Sequence, residues 1–287
     1  MKILKKLCAV ALLLVCFTGC TIKRDNMEGI DIYTTVYPIE YVTDYLYGYN
    51  SNVKSIYPAG VDASNYNLTE KQIDEYSKGS IFVYNHLNNE KYIARDLQNK
   101  NTELRLIAAS EGLEGEDKIE ELWLNPKNYL MLAHNIKNGL EEYITSVFVK
   151  NEIEKNYESL KVLISGFDAD LVQTVENAVD KNIIVASDAL TFLDEYRFDI
   201  INLDVPSVAN STVRKCRELI TNKKVKYIFI LDDQEESAVV KELVSLGAEL
   251  VRVKSMTIRS EEDKASNTTY KQMMKDLIEY VRKEVYV

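Results

Sequence analysis

Short β-branched runs alternate with helical patterns along almost the whole chain, which argues for α/β units on largely parallel sheets. In the first half, residues 30–36 read as a strand, 39–47 as a helix and 53–57 as a strand. Thr69-Glu70-Lys71-Gln72 is a capping box, in which the Thr hydroxyl and Gln amide satisfy backbone donors at a helix start. It opens a helix to about Lys78, followed by a buried strand over 80–84, a helix over 91–98 and a strand over 104–108. Asn125-Pro126 begins a further helix, with proline where its missing N–H is tolerated.

From about Phe148 to Ala178 the pattern is helical, with Leu160, Leu163, Ile164, Phe167 and Leu171 recurring at helical spacing. A helix this long between two alternating halves predicts a rigid connector. In the second half, strands are expected over 182–186, 200–203, 225–231 and 249–253. Helices are expected over 189–196, 212–221, 235–246 and 270–284, with Gly247 as a C-terminal stop. The predicted architecture is two α/β lobes with mainly parallel sheets, residues 29–147 and 180–287, joined by a connector helix over 148–179.

Residues 1–19 stand apart from this alternation. Lys2, Lys5 and Lys6 make a positive start, and residues 8–17 are apolar but too short to span a bilayer. Thr18-Gly19-Cys20 then places small residues before a cysteine, the pattern of a lipoprotein signal peptide, with Phe17 where leucine is usual. The expectation is a bacterial lipoprotein, held at the extracytoplasmic face of the cell membrane by a lipid such as palmitate on Cys20. Residues 20–28 would be its polar tether. An ordinary cleaved signal with a chance cysteine is the plainer alternative.

Charge and cysteine usage narrow the partners. The net charge is −10, and loss of the three signal lysines leaves the mature chain near −13. That balance argues against nucleic acid, which rewards basic grooves, and fits a cationic ligand or simple solubility. Cys8 and Cys16 leave with the signal and Cys20 is lipidated, so Cys216 alone remains and no internal disulfide forms. Its helical surroundings predict a half-buried structural thiol. Neither a nucleophile–base–orienter set, nor a glycine-rich phosphate loop, nor a CxxC pair is visible, so the chain does not read as an enzyme. Tyr33, Tyr37, Tyr41, Tyr45 and Tyr47 crowd the first unit, where packing accounts for most of them; a few could line a cleft for an organic solute.

Several local strings, in order, carry a resemblance. They are Thr34-Thr35-Val36-Tyr37-Pro38-Ile39, Pro58-Ala59-Gly60 with the turn and helix start to Thr69, and Ile81-Phe82-Val83-Tyr84-Asn85. Leu122-Trp123-Leu124-Asn125-Pro126, Ile184-Val185-Ala186-Ser187 and Lys226-Tyr227-Ile228-Phe229-Ile230 follow. Together they resemble the metal-specific solute-binding lipoproteins of zinc and manganese ABC transporters, from about residue 30 to the C-terminus. The resemblance implies an importer's substrate-binding component that captures its cargo between two lobes and docks on a permease with its ATPase. A divalent cation, zinc or manganese, would be the cargo.

The family's ligand positions hold other residues here. The first three histidine positions fall on Ser64, Glu121 and Asp188, and the final acid on Lys254. Of the two histidines, His134 reads as a surface residue, while His86 follows a strand toward the implied cleft, where the family carries glycine. The family's histidine-rich loop is replaced by an acidic stretch, roughly 110–121, with Glu111, Glu114, Glu116, Asp117, Glu120 and Glu121. It reads as a solvated, disordered loop or as a weak collector of hard cations.

One imidazole without a thiolate disfavours zinc. Glu121 and Asp188 with Asp62 or Asp232 would make an all-oxygen site suited to Mn²⁺, Ca²⁺ or Mg²⁺, which the Lys254 ammonium opposes. Alternatively, Lys254 stands in for the ion and pairs with Glu121 and Asp188 across the lobes. The expectation is a substrate-binding lipoprotein with an altered or lost metal site, whose ligand-facing residues would be Ser64, His86 and Lys254. The alternatives are a metal-free paralogue acting as a surface interaction or adhesion protein, or a binder of a non-metal solute.

Overall fold

Among the described residues every strand pairing is parallel, and the strands fall into two sheets of four. A computed structural model describes residues 27–286. The signal segment and Cys20 lie outside the described residues. The first sheet holds β1 (Ile30–Thr34), β2 (Ser51–Ser55), β3 (Ile81–Tyr84) and β4 (Arg105–Ala108), in the order β2-β1-β3-β4. The second holds β5 (Asn182–Val185), β6 (Asp199–Asn202), β7 (Tyr227–Leu231) and β8 (Glu249–Val253), in the order β6-β5-β7-β8. The two lobes thus share one strand order.

Helices fill the crossovers that parallel strands require. The first lobe carries α1 (Tyr37–Tyr47), α2 (Glu70–Tyr76), α3 (Glu90–Lys100), α4 (Glu121–Leu124) and α5 (Pro126–Tyr143). The capping box at Thr69 forms as expected, with Gln72 completing it. The long helix α6 (Val147–Glu176) then begins at Ser146, whose hydroxyl accepts from the Val149 N–H. Its buried stripe, Val149, Ile153, Tyr157, Leu160, Ile164, Phe167 and Leu171, advances by three or four residues. That stripe packs against α1, α5 and the C-terminal helix α10 (Tyr270–Val285), tying both lobes to one rod. The second lobe adds α7 (Asn210–Thr221), α8 (Ala238–Ser245) and α9 (Glu261–Ala265).

Boundary differences have local causes. Residues 188–196 form a 3₁₀ helix rather than an α-helix, closed by Arg197 in the left-handed region at φ 70°. The helix expected from 235 starts at Ala238, because Ser237 caps it by accepting from the Val240 N–H. Short helices α4 and α9 escape a periodicity reading because four or five residues complete scarcely one turn. Cys216 is fully buried, not half-buried, on the inner side of α7. Met27, expected in the tether, packs in the core, and the Tyr47 hydroxyl donates to its carbonyl.

The central strands of the second sheet are buried on both faces, as covered parallel strands are. Ile183 and Val185 face the main core, whereas Ile184 and Ala186 face a separate cluster under α7 and α8. At the foot of β7, the buried Glu284 carboxylate of α10 accepts from the backbone N–H groups of Lys226 and Tyr227 at 3.0 and 2.8 Å.

A polar junction joins the lobes. The fully buried Tyr270 donates its hydroxyl to the Trp123 carbonyl at 2.7 Å, and its N–H to the Tyr37 hydroxyl at 3.0 Å. The Trp123 indole donates to the Ser255 carbonyl at 2.7 Å, and the Tyr37 N–H to the Thr257 carbonyl at 3.0 Å. Tyr129 packs its ring 4.2 Å from that of Tyr270. Tyr270→Phe keeps the ring and removes one donor from a buried carbonyl, at a cost of about 1–3 kcal/mol. Its urea midpoint should fall accordingly with little change in slope; an unchanged midpoint would contradict the bond.

Candidate functional site

Parallel strands place their carboxyl ends on one edge of a sheet, and loops leaving that edge form the natural binding crevice. In the first lobe the loop after β2 carries Asp62 and Ser64, and the loop after β3 carries His86. In the second, Asp188 follows β5, Asp232 follows β7 and Lys254 follows β8. Residues of both lobes line a cavity of about 610 Å³, among them Asp62, Ser64, Glu120, Asp232, Lys254 and Asp263. A second cavity of about 590 Å³ adjoins it through Ser64 and Glu120 and runs into the first lobe past Tyr57, Tyr66, Asn88 and Glu90.

Ser64 belongs to a turn that Asp62 organises. The Ser64 N–H and hydroxyl both donate to Asp62 Oδ1, and Asn65 Nδ2 donates to Oδ2 at 2.7 Å. Those hydrogen bonds, Ser64's first, hold the Asp62 carboxyl below its usual range. Asp62 is therefore committed to its own loop.

Lys254 does not bridge the lobes to Glu121 and Asp188. Its Nζ lies 3.5 Å from Asp232 and 3.3 Å from Asp263, all within the second lobe. Partial burial works against this ammonium, but Asp263 and Asp232 together outweigh it and raise its pKa. Asp232 also accepts from the Ser255 N–H at 2.9 Å. The all-oxygen set of Glu121 and Asp188 with Asp62 or Asp232 is therefore not assembled. Among the described residues, no group of three or more His, Cys, Asp or Glu side chains is disposed to hold a metal ion.

A different lysine meets Glu121 and Asp188. Lys118 Nζ donates to Thr191 Oγ1 at 2.9 Å and stands 3.6 Å from Asp188 and 3.9 Å from Glu121. Burial raises the Glu121 carboxyl above its usual range, Lys118 offsets part of that, and Glu195 and Asp188 add to it. The acidic stretch before α4 is thus anchored at its end, with Ile119 packed on the core, while Glu111, Glu114, Glu116 and Asp117 stay exposed to water. Sequence reading passed over Lys118 because acids surround it. Its signal was spacing, a lysine three residues before Glu121.

His86 is tied down rather than offered to a ligand. The Ser110 hydroxyl donates its proton to Asn85 Oδ1 and accepts from the His86 N–H at 3.0 Å. His86 Nδ1 lies 2.9 Å from the same Ser110 hydroxyl oxygen. The ring lines neither cavity. His134 is exposed on α5, beside Asn138 and the Tyr157 ring.

The family described as zinc-uptake complex component A, periplasmic, matches residues 32–283. The chain belongs to that family. A relative in Streptococcus pneumoniae, the zinc-binding lipoprotein AdcA, is 21% identical over 260 residues, covering 82% of this chain and 50% of AdcA. The metal ABC transporter substrate-binding lipoprotein ScbA of Streptococcus cristatus is 27% identical over 208 residues, 64% of this chain and 66% of ScbA. The chain thus spans about half to two thirds of the length of these curated relatives.

Among solved structures, the metal-dependent lipoprotein YcdH of Bacillus subtilis aligns with a TM-score of 0.74 at 20% identity, over 90% of this chain and 100% of that one. The zinc-bound ZnuA-like domain of Streptococcus pneumoniae AdcA aligns at 0.72 and 19%, over 90% and 100%. The laminin-binding protein Lbp of Streptococcus pyogenes aligns at 0.70 and 17%, over 90% and 99%. These likenesses show that the two-lobed fold of the family is present.

One carboxyl in the adjoining cavity carries a pH signature. Glu90 is 1% exposed, and burial pushes it up to about 7, although Asn88 Nδ2 and the Asn85 N–H donate to it. The folded form then binds a proton more tightly than the unfolded chain. Stability from this group is full below about pH 4.5 and lost as pH rises through about 7, a swing of about 3 kcal/mol. Glu90→Gln should flatten the fall in urea stability between pH 5 and pH 8, two values chosen on either side of about 7. An unchanged slope would contradict the buried carboxyl.

Proposed function

We propose that this protein is the extracytoplasmic substrate-binding component of an ABC importer, working with a permease and an ATPase. The family match over residues 32–283 carries the reading. Relatives named as lipoproteins, together with Thr18-Gly19-Cys20, support a lipid on Cys20 that tethers the chain to the outer face of the cell membrane. Residues 1–19 would be the signal and the residues after Cys20 the tether. Cargo would be taken in the cleft between a first lobe over 29–147 and a second over 180–287, with the connector holding their spacing.

The relatives are named for zinc and metal transport, but the ligand positions implied by the resemblance hold Ser64, Glu121, Asp188 and Lys254. Tight zinc binding wants imidazole or thiolate in a tetrahedral set. We therefore read the metal site as altered or lost, with Glu121 and Asp188 as its remaining oxygen donors toward manganese or zinc. A second reading, a metal-free surface interaction protein on the same scaffold, draws on the missing ligand cluster and on a fold neighbour named for laminin binding.

Adding the purified, lipidated protein to vesicles carrying the permease and ATPase of the same cell should stimulate ATP hydrolysis. No binding and no stimulation would overturn the importer reading in favour of the second. Cys20→Ala should move the protein from the membrane fraction to the soluble fraction and abolish palmitate labelling; retention in the membrane would overturn the lipid anchor.

A further inference from the structure

Two ammonium groups near the lobe boundary each face two carboxylates, but Lys254 lines the cavity between the lobes, whereas Lys118, Glu121 and Asp188 line neither of the two cavities. Lys254 neutralises Asp232 and Asp263 inside the second lobe. Lys118 reaches across, from the stretch after β4 in the first lobe to Asp188 and Thr191 at the end of β5 in the second. Its third partner, Glu121, starts α4, directly beside the Trp123 junction.

Hydrogen-bond directions fit an ammonium at this point. The Thr191 hydroxyl donates its only proton to the Asp188 carbonyl at 2.7 Å, so its oxygen is left to accept from Lys118. Lys118 thereby has one hydrogen-bond acceptor, Thr191, and two carboxylates at ion-pair distance, Asp188 and Glu121. Asp188 is steadied from behind, since Asn202 Nδ2 donates to its Oδ1 at 2.7 Å and its N–H donates to Asp204 at 3.0 Å. Close by, Glu195 accepts from Asn125 Nδ2 at 3.0 Å and pairs with Lys127 at 3.1 Å. The carboxylates here are met by lysines; Lys127 and Lys118 both cross between the lobes, and Lys118 is the one shared by two carboxylates.

We propose that Lys118 is a specificity-determining residue at the lobe boundary, a tethered cation that holds Glu121 and Asp188 and keeps divalent metal from that pair while joining the lobes. This rests on the importer reading for its meaning but not for its test. A divalent ion approaching Glu121 and Asp188 must displace an ammonium that the chain cannot release. With about a third of its side chain exposed, Lys118 is held by geometry rather than by burial.

The test uses the mature protein and three variants, Lys118→Ala, Lys118→Arg and Lys254→Ala. Each is titrated calorimetrically with Zn²⁺ and with Mn²⁺, and amide hydrogen exchange is followed over residues 188–196 and 118–124. Wild type should show no submicromolar binding and no change in exchange on adding metal or chelator. Lys118→Ala should bind Mn²⁺ or Zn²⁺ tighter by about tenfold or more, the order expected when a like charge about 4 Å away is removed. Its exchange should also quicken in both segments. Lys118→Arg, which keeps the cation, should restore wild-type behaviour and show that the site still folds. Lys254→Ala should leave exchange across the lobes unchanged.

Submicromolar metal binding by wild type would overturn the proposal and leave the importer reading standing. So would a Lys118→Ala protein indistinguishable from wild type in both titration and exchange. If instead the variants behave as stated but the protein neither binds nor stimulates its permease, the importer reading fails while the role of Lys118 holds.

Discussion

The relative placement of the two lobes depends on a small circuit of buried hydrogen bonds. Tyr37 and Trp123 supply the first lobe's side, and Ser255, Thr257 and Tyr270 the second's. Each bond satisfies a group that would otherwise lie orphaned in a low-dielectric interior, and an unmet buried donor or acceptor costs more than a made bond gains. Separating the lobes would break several at once. With α6 packed along both halves, the junction sets the width of the cleft. The chemistry of that cleft is then set by the side chains at its mouth.

Which side chains those are follows from strand direction. All eight described strands are parallel to their neighbours, so each sheet sends its connections out at one edge, and Ser64, His86, Asp188, Asp232 and Lys254 all sit on such connections. The shared strand order makes the lobes equivalent frames carrying different loops. Within that common geometry, small differences in loop chemistry decide everything: Asp62 folds back on its own turn, His86 is clamped by Ser110, and Lys254 turns to Asp232 and Asp263. These side chains, placed at the cleft edge by strand direction, are spent on local structure.

The sequence revealed the frame more fully than the site, for physical reasons. Strands such as 81–84 and 227–231 are short apolar runs covered on both faces, and α6 has a long unbroken stripe, so periodicity alone finds them. Helices one turn long have no period to read, and the 3₁₀ geometry of 188–196 differs from an α-helix by hydrogen-bond step rather than by composition. Glu121 and Asp188 could be singled out by alignment with a family pattern. Their partner could not, because charge pairing depends on where a loop folds back. The need for a lysine beside those two acids followed from electrostatics; its identity as Lys118 rather than Lys254 required the path of residues 110–120.

That separation also lets a chain keep its family's fold while the residues on its loops vary. The main core and the junction hold Ile32, Phe82, Trp123, Phe167, Phe229 and Tyr270, none of which the family resemblance assigns to a ligand. Stability resides there, in buried apolar area and satisfied backbone groups. Ser64, Glu121, Asp188 and Lys254 contribute little to it, being half-exposed and paired through water-screened charges. The loop chemistry is therefore free to vary without unfolding the scaffold. Two carboxylates brought together at the lobe boundary repel one another, and a nearby cation relieves that repulsion. Lys118 supplies that cation from within the chain.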